Sequence, residues 1–228
     1  MSFRLENVVP WGRSYGEYVS MFSLDEADLR KRMLGCGDGP ASFNAELTRR
    51  GGHMVSVDPL YRFTSAEIRL RIDETREEVL EQARKNQHEF NWTTIRSVEH
   101  LGQLRMAAME DFLSDYASGL NQGRYVAGEL PQLPFRDGEF DLALCSHFLF
   151  LYSEQLSKQF HVAAIREICR VAREVRIFPV LEFGAQTSRH LDAVTEALKS
   201  DGYGVRLEAV DYEFQKGGNR MMVVKVGE

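Results

Sequence analysis

The chain has 228 residues and a formal net charge of −6. Hydrophobic residues make up 43% and charged residues 27%, the balance of a globular chain with a sizeable core. The acidic excess disfavours a broad basic footprint for nucleic acid, and the most apolar stretch, residues 140–152, is interrupted by Asp141, Ser146 and His147 and is too short to span a membrane.

The three cysteines, Cys36, Cys145 and Cys169, are far apart and form no CxxC pair. The six histidines are scattered, with no HExxH arrangement. Neither a metal site nor a disulfide framework is expected, and a reduced, cytoplasmic compartment is the simplest reading. Residues 1–10 carry Arg4 and Glu6 without a long apolar core, so they do not read as a secretory signal. Oligomeric state is not legible.

Residues 11–22 are aromatic and contain a short helix. Ser23 with Glu26 three positions on is a capping box, predicting a helix to about Arg30. Residues 1–30 therefore read as an N-terminal helical segment. Residues 32–34 form a first strand. It runs into Gly35-Cys36-Gly37-Asp38-Gly39-Pro40, and residues 41–50 follow as a helix closed by Gly51-Gly52. A strand that turns over glycines into a helix N-terminus is a corner suited to an anionic ligand group. Residues 53–57 are a second strand with Asp58-Pro59 at its end, completing a βαβ unit with a right-handed crossover.

Residues 64–122 are too long for a simple crossover. One charged helix spans 65–87. A second spans about 97–117, with Leu101, Leu104, Ala108 and Phe112 along one face. No linker bounds them, so the chain reads as one domain, 1–228, with a helical insertion. Two roles are open for it: a cover on the sheet, or a lid over a ligand cleft. Arg69, Arg71 and Arg76 alternate with acids and read as a solvated face.

Residues 124–127 form a third strand ending at Gly128-Glu129. Residues 140–145 form a nearly continuous apolar fourth strand, the pattern of a buried parallel sheet, with Ser146-His147 at its end. A helix over 153–173, a strand over 174–181 and a helix over 188–200 follow. Strands over 205–212 and 221–226, joined at Gly217-Gly218, close the chain. β/α units ending in a hairpin predict a mostly parallel sheet completed by an antiparallel strand.

Ligands of open α/β sheets bind beyond the carboxyl ends of the strands. The glycine corner, Asp58, Glu129 and Ser146-His147 all map there. A carboxylate offers two acceptor oxygens, enough for both hydroxyls of a ribose. The order of these features suits an adenosine-containing ligand.

Over residues 30–228 the chain resembles the class I S-adenosylmethionine-dependent methyltransferases. The resemblance is carried by residues 34–39, 55–58 and 129–141 and by the closing hairpin. It implies a doubly wound, seven-stranded α/β sheet with S-adenosylmethionine as cofactor. It implies that Gly35, Gly37 and Gly39 lie against the methionine part, and Cys36 within the corner either faces the core or borders the cofactor. Asp58 would hold the ribose, with Pro59 and Leu60 packing toward adenine and Glu129 and Leu130 bordering its edge. The family often has an acid two residues before the first glycine, and here that residue is Met33. Arg13 is expected to pair with the cofactor carboxylate in compensation, with Tyr15 or Tyr18 closing over it. A nicotinamide dinucleotide fingerprint needs Gly-x-Gly-x-x-Gly, but the sixth position is Pro40.

Methyl transfer from a sulfonium needs alignment and exclusion of water, and a base only where the acceptor must lose a proton. His147 is the candidate base. The competing reading is a histidine that only orders its loop. Tyr15 and Tyr152 are further candidates, each equally readable as a packing aromatic. No Pro-Cys and no Asn/Asp-Pro-Pro-aromatic motif accompanies the fourth strand, which removes the common patterns for cytosine C5, adenine amine and amide nitrogen. The expected activity is methyl transfer to a small or medium acceptor. The alternative is a non-catalytic adenosyl-cofactor-binding protein with an association role.

Overall fold

In the computed structural model, residues 9–227 are described. The reading of residues 1–10 as a non-secretory start lies almost wholly outside them.

Seven strands form the main sheet: β1 (Arg32–Cys36), β2 (His53–Val57), β3 (Tyr125–Val126), β4 (Phe140–Ser146), β5 (Ala172–Phe178), β8 (Gly204–Ala209) and β9 (Arg220–Lys225). Two further strands, β6 (Leu181–Glu182) and β7 (Gln186–Thr187), pair as a separate small hairpin. The order across the main sheet is β3-β2-β1-β4-β5-β9-β8. The first five strands are parallel, and β9 runs antiparallel to both β5 and β8. This is the doubly wound, seven-stranded α/β sheet expected from the sequence, with its antiparallel closing strand.

Strand alternation builds the two faces. Successive side chains point to opposite sides of a sheet. Leu34, Ala143, Cys145, Val175, Ile177, Met222 and Val224 share one core with helix α5 (Lys158–Val171) and helix α6 (Leu191–Ser200). Met33, Leu142, Leu144, Met221 and Val223 join the opposite core, with helix α1 (Tyr15–Met21) and helix α2 (Phe43–Arg49). The core side chains are all less than a tenth exposed. Each fully buried Leu, Ile or Phe contributes about 1.5–3 kcal/mol relative to exposure.

The insertion between β2 and β3 consists of α3 (Ser65–Lys85) and α4 (Val98–Asn121). Thr64 and Glu67 form a capping box that starts α3. The hydroxyl of Tyr116 on α4 donates to the carbonyls of Tyr61 and Phe63, tying the helix to the turn after Asp58.

Some boundaries differ from the sequence reading. The Ser23–Glu26 capping box does not form. Ser23 has φ of 47° and ends α1, and only a 3₁₀ turn follows at Asp28–Arg30. The capping box of this region is Ser14 with Glu17, which starts α1. The helix expected from residue 153 begins at Lys158, because Ser157 supplies the N-cap bond to Phe160 N–H. The strand expected over 174–181 begins at Ala172 and stops at Phe178, ahead of Pro179. Among the described residues, no helix is long and apolar enough to cross a membrane.

Candidate functional site

One cavity of about 950 Å³ opens at the carboxyl ends of β1, β2 and β4. The glycine corner forms part of its wall. Gly37 and Gly39 have φ of 67° and 52°, which glycine adopts without steric cost. Gly37 N–H donates to the Val57 carbonyl, and the Tyr61 hydroxyl donates to the Gly39 carbonyl. The corner is thus held from β2 and from the turn beyond it.

Asp58 ends β2 and faces the cavity. Its Oδ2 accepts from Gly39 N–H at 2.9 Å and its Oδ1 from Leu60 N–H at 2.7 Å. Burial raises its pKa, and the two N–H donors oppose that shift. Each carboxylate oxygen keeps acceptor capacity. Pro59, Leu60, Glu129 and Leu130 line the same space.

The segment before α1 closes another side. Gly12 lies against the Pro40 carbonyl so tightly that a Cβ there would stand 2.0 Å from its oxygen. Ser42 N–H donates to the Arg13 carbonyl. These contacts hold Arg13 at the cavity wall. Its Nη1 donates to the Trp11 carbonyl, and its Nε has no partner among the described residues. Burial, with Arg105 nearby, lowers its pKa to about 10, so it remains a cation at neutral pH.

His147 and Tyr152 also line the cavity. His147 follows β4 with φ of 51°, a conformation uncommon outside glycine. Its Nδ1 lies 3.0 Å from the Ser146 hydroxyl, and its ring meets Phe178 edge-on. Burial, together with Arg13 and Arg105, pushes its pKa well below the usual value, so the imidazole is neutral. The Tyr152 hydroxyl accepts from Val9 N–H.

Gly35 and Tyr15 are corrected as site residues, and of the two readings of Cys36 the core one holds. Gly35 and Cys36 do not line the cavity. They lie within β1, behind the wall, and Cys36 is fully buried in the core with its thiol pKa pushed up by burial. Tyr15 is also elsewhere. It stacks on Phe43 at 5.3 Å, with the Arg50 guanidinium over its ring. Tyr18, three residues on, is the tyrosine of α1 that reaches the cavity.

Two residues of the site had escaped the sequence reading. Asp38, inside the glycine corner, accepts from the Tyr18 hydroxyl at 2.9 Å and from the Ser56 hydroxyl at 2.6 Å. Burial raises its pKa to about 6, although both hydroxyls favour the anion. Arg105, from α4, lines the cavity and pairs with Glu17 of α1. Its signal was its position: it lies one turn after Leu101, a charge on an apolar helix face. No cluster able to hold a metal ion occurs among the described residues.

A methyltransferase-domain family matches residues 105–178. An uncharacterised protein of Methanocaldococcus jannaschii is 33% identical over 222 residues, covering 97% of each chain. The PH0226 protein of Pyrococcus horikoshii superposes with a TM-score of 0.50 at 11% identity, covering 93% of this chain and 91% of that one. At that identity the likeness is one of fold. The magnesium protoporphyrin IX methyltransferase of Synechocystis, solved with bound SAM, has a TM-score of 0.45 at 13% identity, covering 88% of this chain and 73% of that one. The chain has the fold of the class I S-adenosylmethionine-dependent methyltransferases, and part of it matches a methyltransferase domain. It belongs to the same family as the M. jannaschii protein.

Proposed function

We propose that the protein binds S-adenosylmethionine in this cavity and transfers its methyl group to a small or medium-sized acceptor. One observation carries the reading: Gly37, Gly39, Asp58 and Arg13, from three separate stretches of chain, line the same cavity. The residues present fit the cofactor. Gly37 and Gly39 bring bare backbone to the wall, Asp58 offers acceptor oxygens for a ribose diol, and Arg13 has an unpartnered buried Nε for a carboxylate. Leu60 and Leu130 offer apolar surface for adenine, with Glu129 at its edge.

The cofactor supplies a methyl group already activated on a sulfonium. The protein's task is then to align the acceptor and keep water out. Phe148, Leu151, Tyr152 and Phe160 give the acceptor side of the cavity apolar walls. His147 is held neutral and has an available ring nitrogen, so it takes the proton of a hydroxyl or amine acceptor. The insertion helices contribute Ile68, Leu70, Val79, Leu101 and Arg105 to the cavity. In this reading they form its lid as well as covering the sheet edge.

Calorimetric titration with S-adenosylmethionine tests binding, and labelled methyl transfer into a metabolite extract tests chemistry. Binding with turnover is the expected result. A folded protein that binds neither S-adenosylmethionine nor S-adenosylhomocysteine overturns the reading.

A further inference from the structure

Of the four arginines that line the cavity among the described residues, Arg62 and Arg71 are exposed, while Arg13 and Arg105 reach it from the interior. Arg13 comes from the segment before α1 and Arg105 from the middle of α4. Arg105 is only 1% exposed. The Nε atoms of both are buried without a hydrogen-bond partner among the described residues. The carboxylate beside them is Glu17, and it is heavily used. It accepts from Arg105 Nη1, from the Tyr212 hydroxyl, and from both N–H and hydroxyl of Ser14. The other carboxylate at this end, Asp38, accepts from Tyr18 and Ser56 and bonds to neither arginine. Arg105, fully buried, and Arg13, partly buried, thus share one committed anion. Arginine stays protonated in proteins, so the excess charge cannot be shed by losing a proton.

This excess sits beside an apolar compartment. Leu101, one turn before Arg105, lines the cavity with Trp11, Phe90 and Phe214. Phe90 and Phe214 stack at 4.9 Å. Aromatic walls next to a charged fork suit a flat or apolar body that ends in an acid.

We propose that the methyl acceptor is an organic anion, a carboxylate or phosphate on an aromatic or apolar body, and that Arg105 holds its acid group. The proposal rests on the cavity being the S-adenosylmethionine site. The cofactor has one carboxylate, which takes Arg13, and Arg105 is left for the acceptor. Arg105 is then a specificity residue supplied by the insertion, and Glu17 competes with the acceptor for it.

Calorimetry in saturating S-adenosylhomocysteine provides the test, with phenylacetate, phenyl phosphate and the neutral phenylacetamide as probes. At least one anion should bind tenfold or more tighter than the amide. The tighter anion assigns the acceptor as a carboxylic acid or a phosphate monoester. Arg105→Gln should erase the preference while S-adenosylhomocysteine binds within twofold of wild type. Glu17→Gln should tighten anion binding, because it removes the competing charge and keeps an acceptor oxygen for Ser14. If Arg105→Gln does not fold, the wild-type comparison and Glu17→Gln still decide. An amide that matches both anions, a preference that survives Arg105→Gln, or weaker anion binding in Glu17→Gln overturns the proposal. Failure to bind S-adenosylhomocysteine in wild type instead removes the cofactor reading itself.

Discussion

Oδ2 of Asp38 occupies the space where a side chain on Gly35 would begin. A Cβ on Gly35 would stand 1.8 Å from that oxygen and 2.5 Å from Cε of Met54. The first glycine of the corner therefore serves a neighbouring carboxylate and does not reach the cavity. Met33 is on the same face of β1 two residues earlier and is fully buried. The acid of this corner thus comes from the loop at position 38, while position 33 belongs to the core.

Gly35→Ala should displace Asp38 and break its bonds to Tyr18 and Ser56. Overpacking of this kind costs about 1–3 kcal/mol. Urea unfolding should show that loss, and affinity for S-adenosylhomocysteine should fall with it. Gly39 is a different case. Nothing lies within 4 Å of a Cβ there, so Gly39→Ala meets only the cost of its φ of 52°, about 1–2 kcal/mol.

Asp38 predicts a pH dependence of stability. Burial raises its folded pKa to about 6, above its value of 3.8 in an unfolded chain. Between those values the folded state binds more protons. Stability from this group is therefore present at pH 4 and is lost as pH rises to about 6. The shift corresponds to roughly 3 kcal/mol. Asp38→Asn does not titrate, so its stability relative to wild type should rise by that order between pH 4 and pH 7. Denaturant midpoints at several pH values measure it, and a constant difference would contradict it.

Glu17 runs the other way. The Arg105 guanidinium and the Ser14 N–H hold its carboxyl at about 2, against the opposing effect of burial. Its stabilisation is complete above its unfolded pKa of 4.5 and is lost as pH falls toward 2. Glu17→Ala leaves Arg105 buried without its anion, a loss of about 3–5 kcal/mol at neutral pH. Thermal unfolding should show this deficit at pH 7 and a smaller one near pH 3.

His147→Ala should lower kcat by about 10²-fold or more if the acceptor gives up a proton. The KM for S-adenosylmethionine should stay within a few-fold, because His147 acts on the acceptor. The wild-type imidazole is neutral well below pH 6.5, so the rate should show no loss from histidine protonation between pH 6 and 7. An unchanged kcat would reduce His147 to ordering its loop.

The strands and the glycine corner were legible because they are local. The nearly continuous apolar run of residues 140–145 and the glycines after a short apolar strand encode their own geometry. Asp58 could be read because it follows directly from β2. What escaped depends on how distant segments meet. Cys36 was open between core and cofactor, and the pleat of β1 turns it into the core. Tyr15 and Tyr18 both stack on Phe43, and what separates them is the Tyr18 hydroxyl's bond to Asp38 at the cavity. Arg105 is buried because α1 brings Glu17 to it from 88 residues away. The Ser23–Glu26 pattern was misleading for a related reason. Asp25 N–H and Asp28 N–H are each bonded to the other's carboxylate, which makes a tight turn instead of a helix start.

Titration of S-adenosylhomocysteine into wild type and Asp58→Ala by calorimetry bears most directly on the cavity as a cofactor site. Asp58 joins the glycine corner to the space where a ribose would lie, through Gly39 N–H and Leu60 N–H. Wild type should bind one equivalent, and Asp58→Ala should bind at least tenfold more weakly, about 1.4 kcal/mol, while remaining folded. Equal affinity in the two proteins, or no binding by folded wild type, would contradict the account.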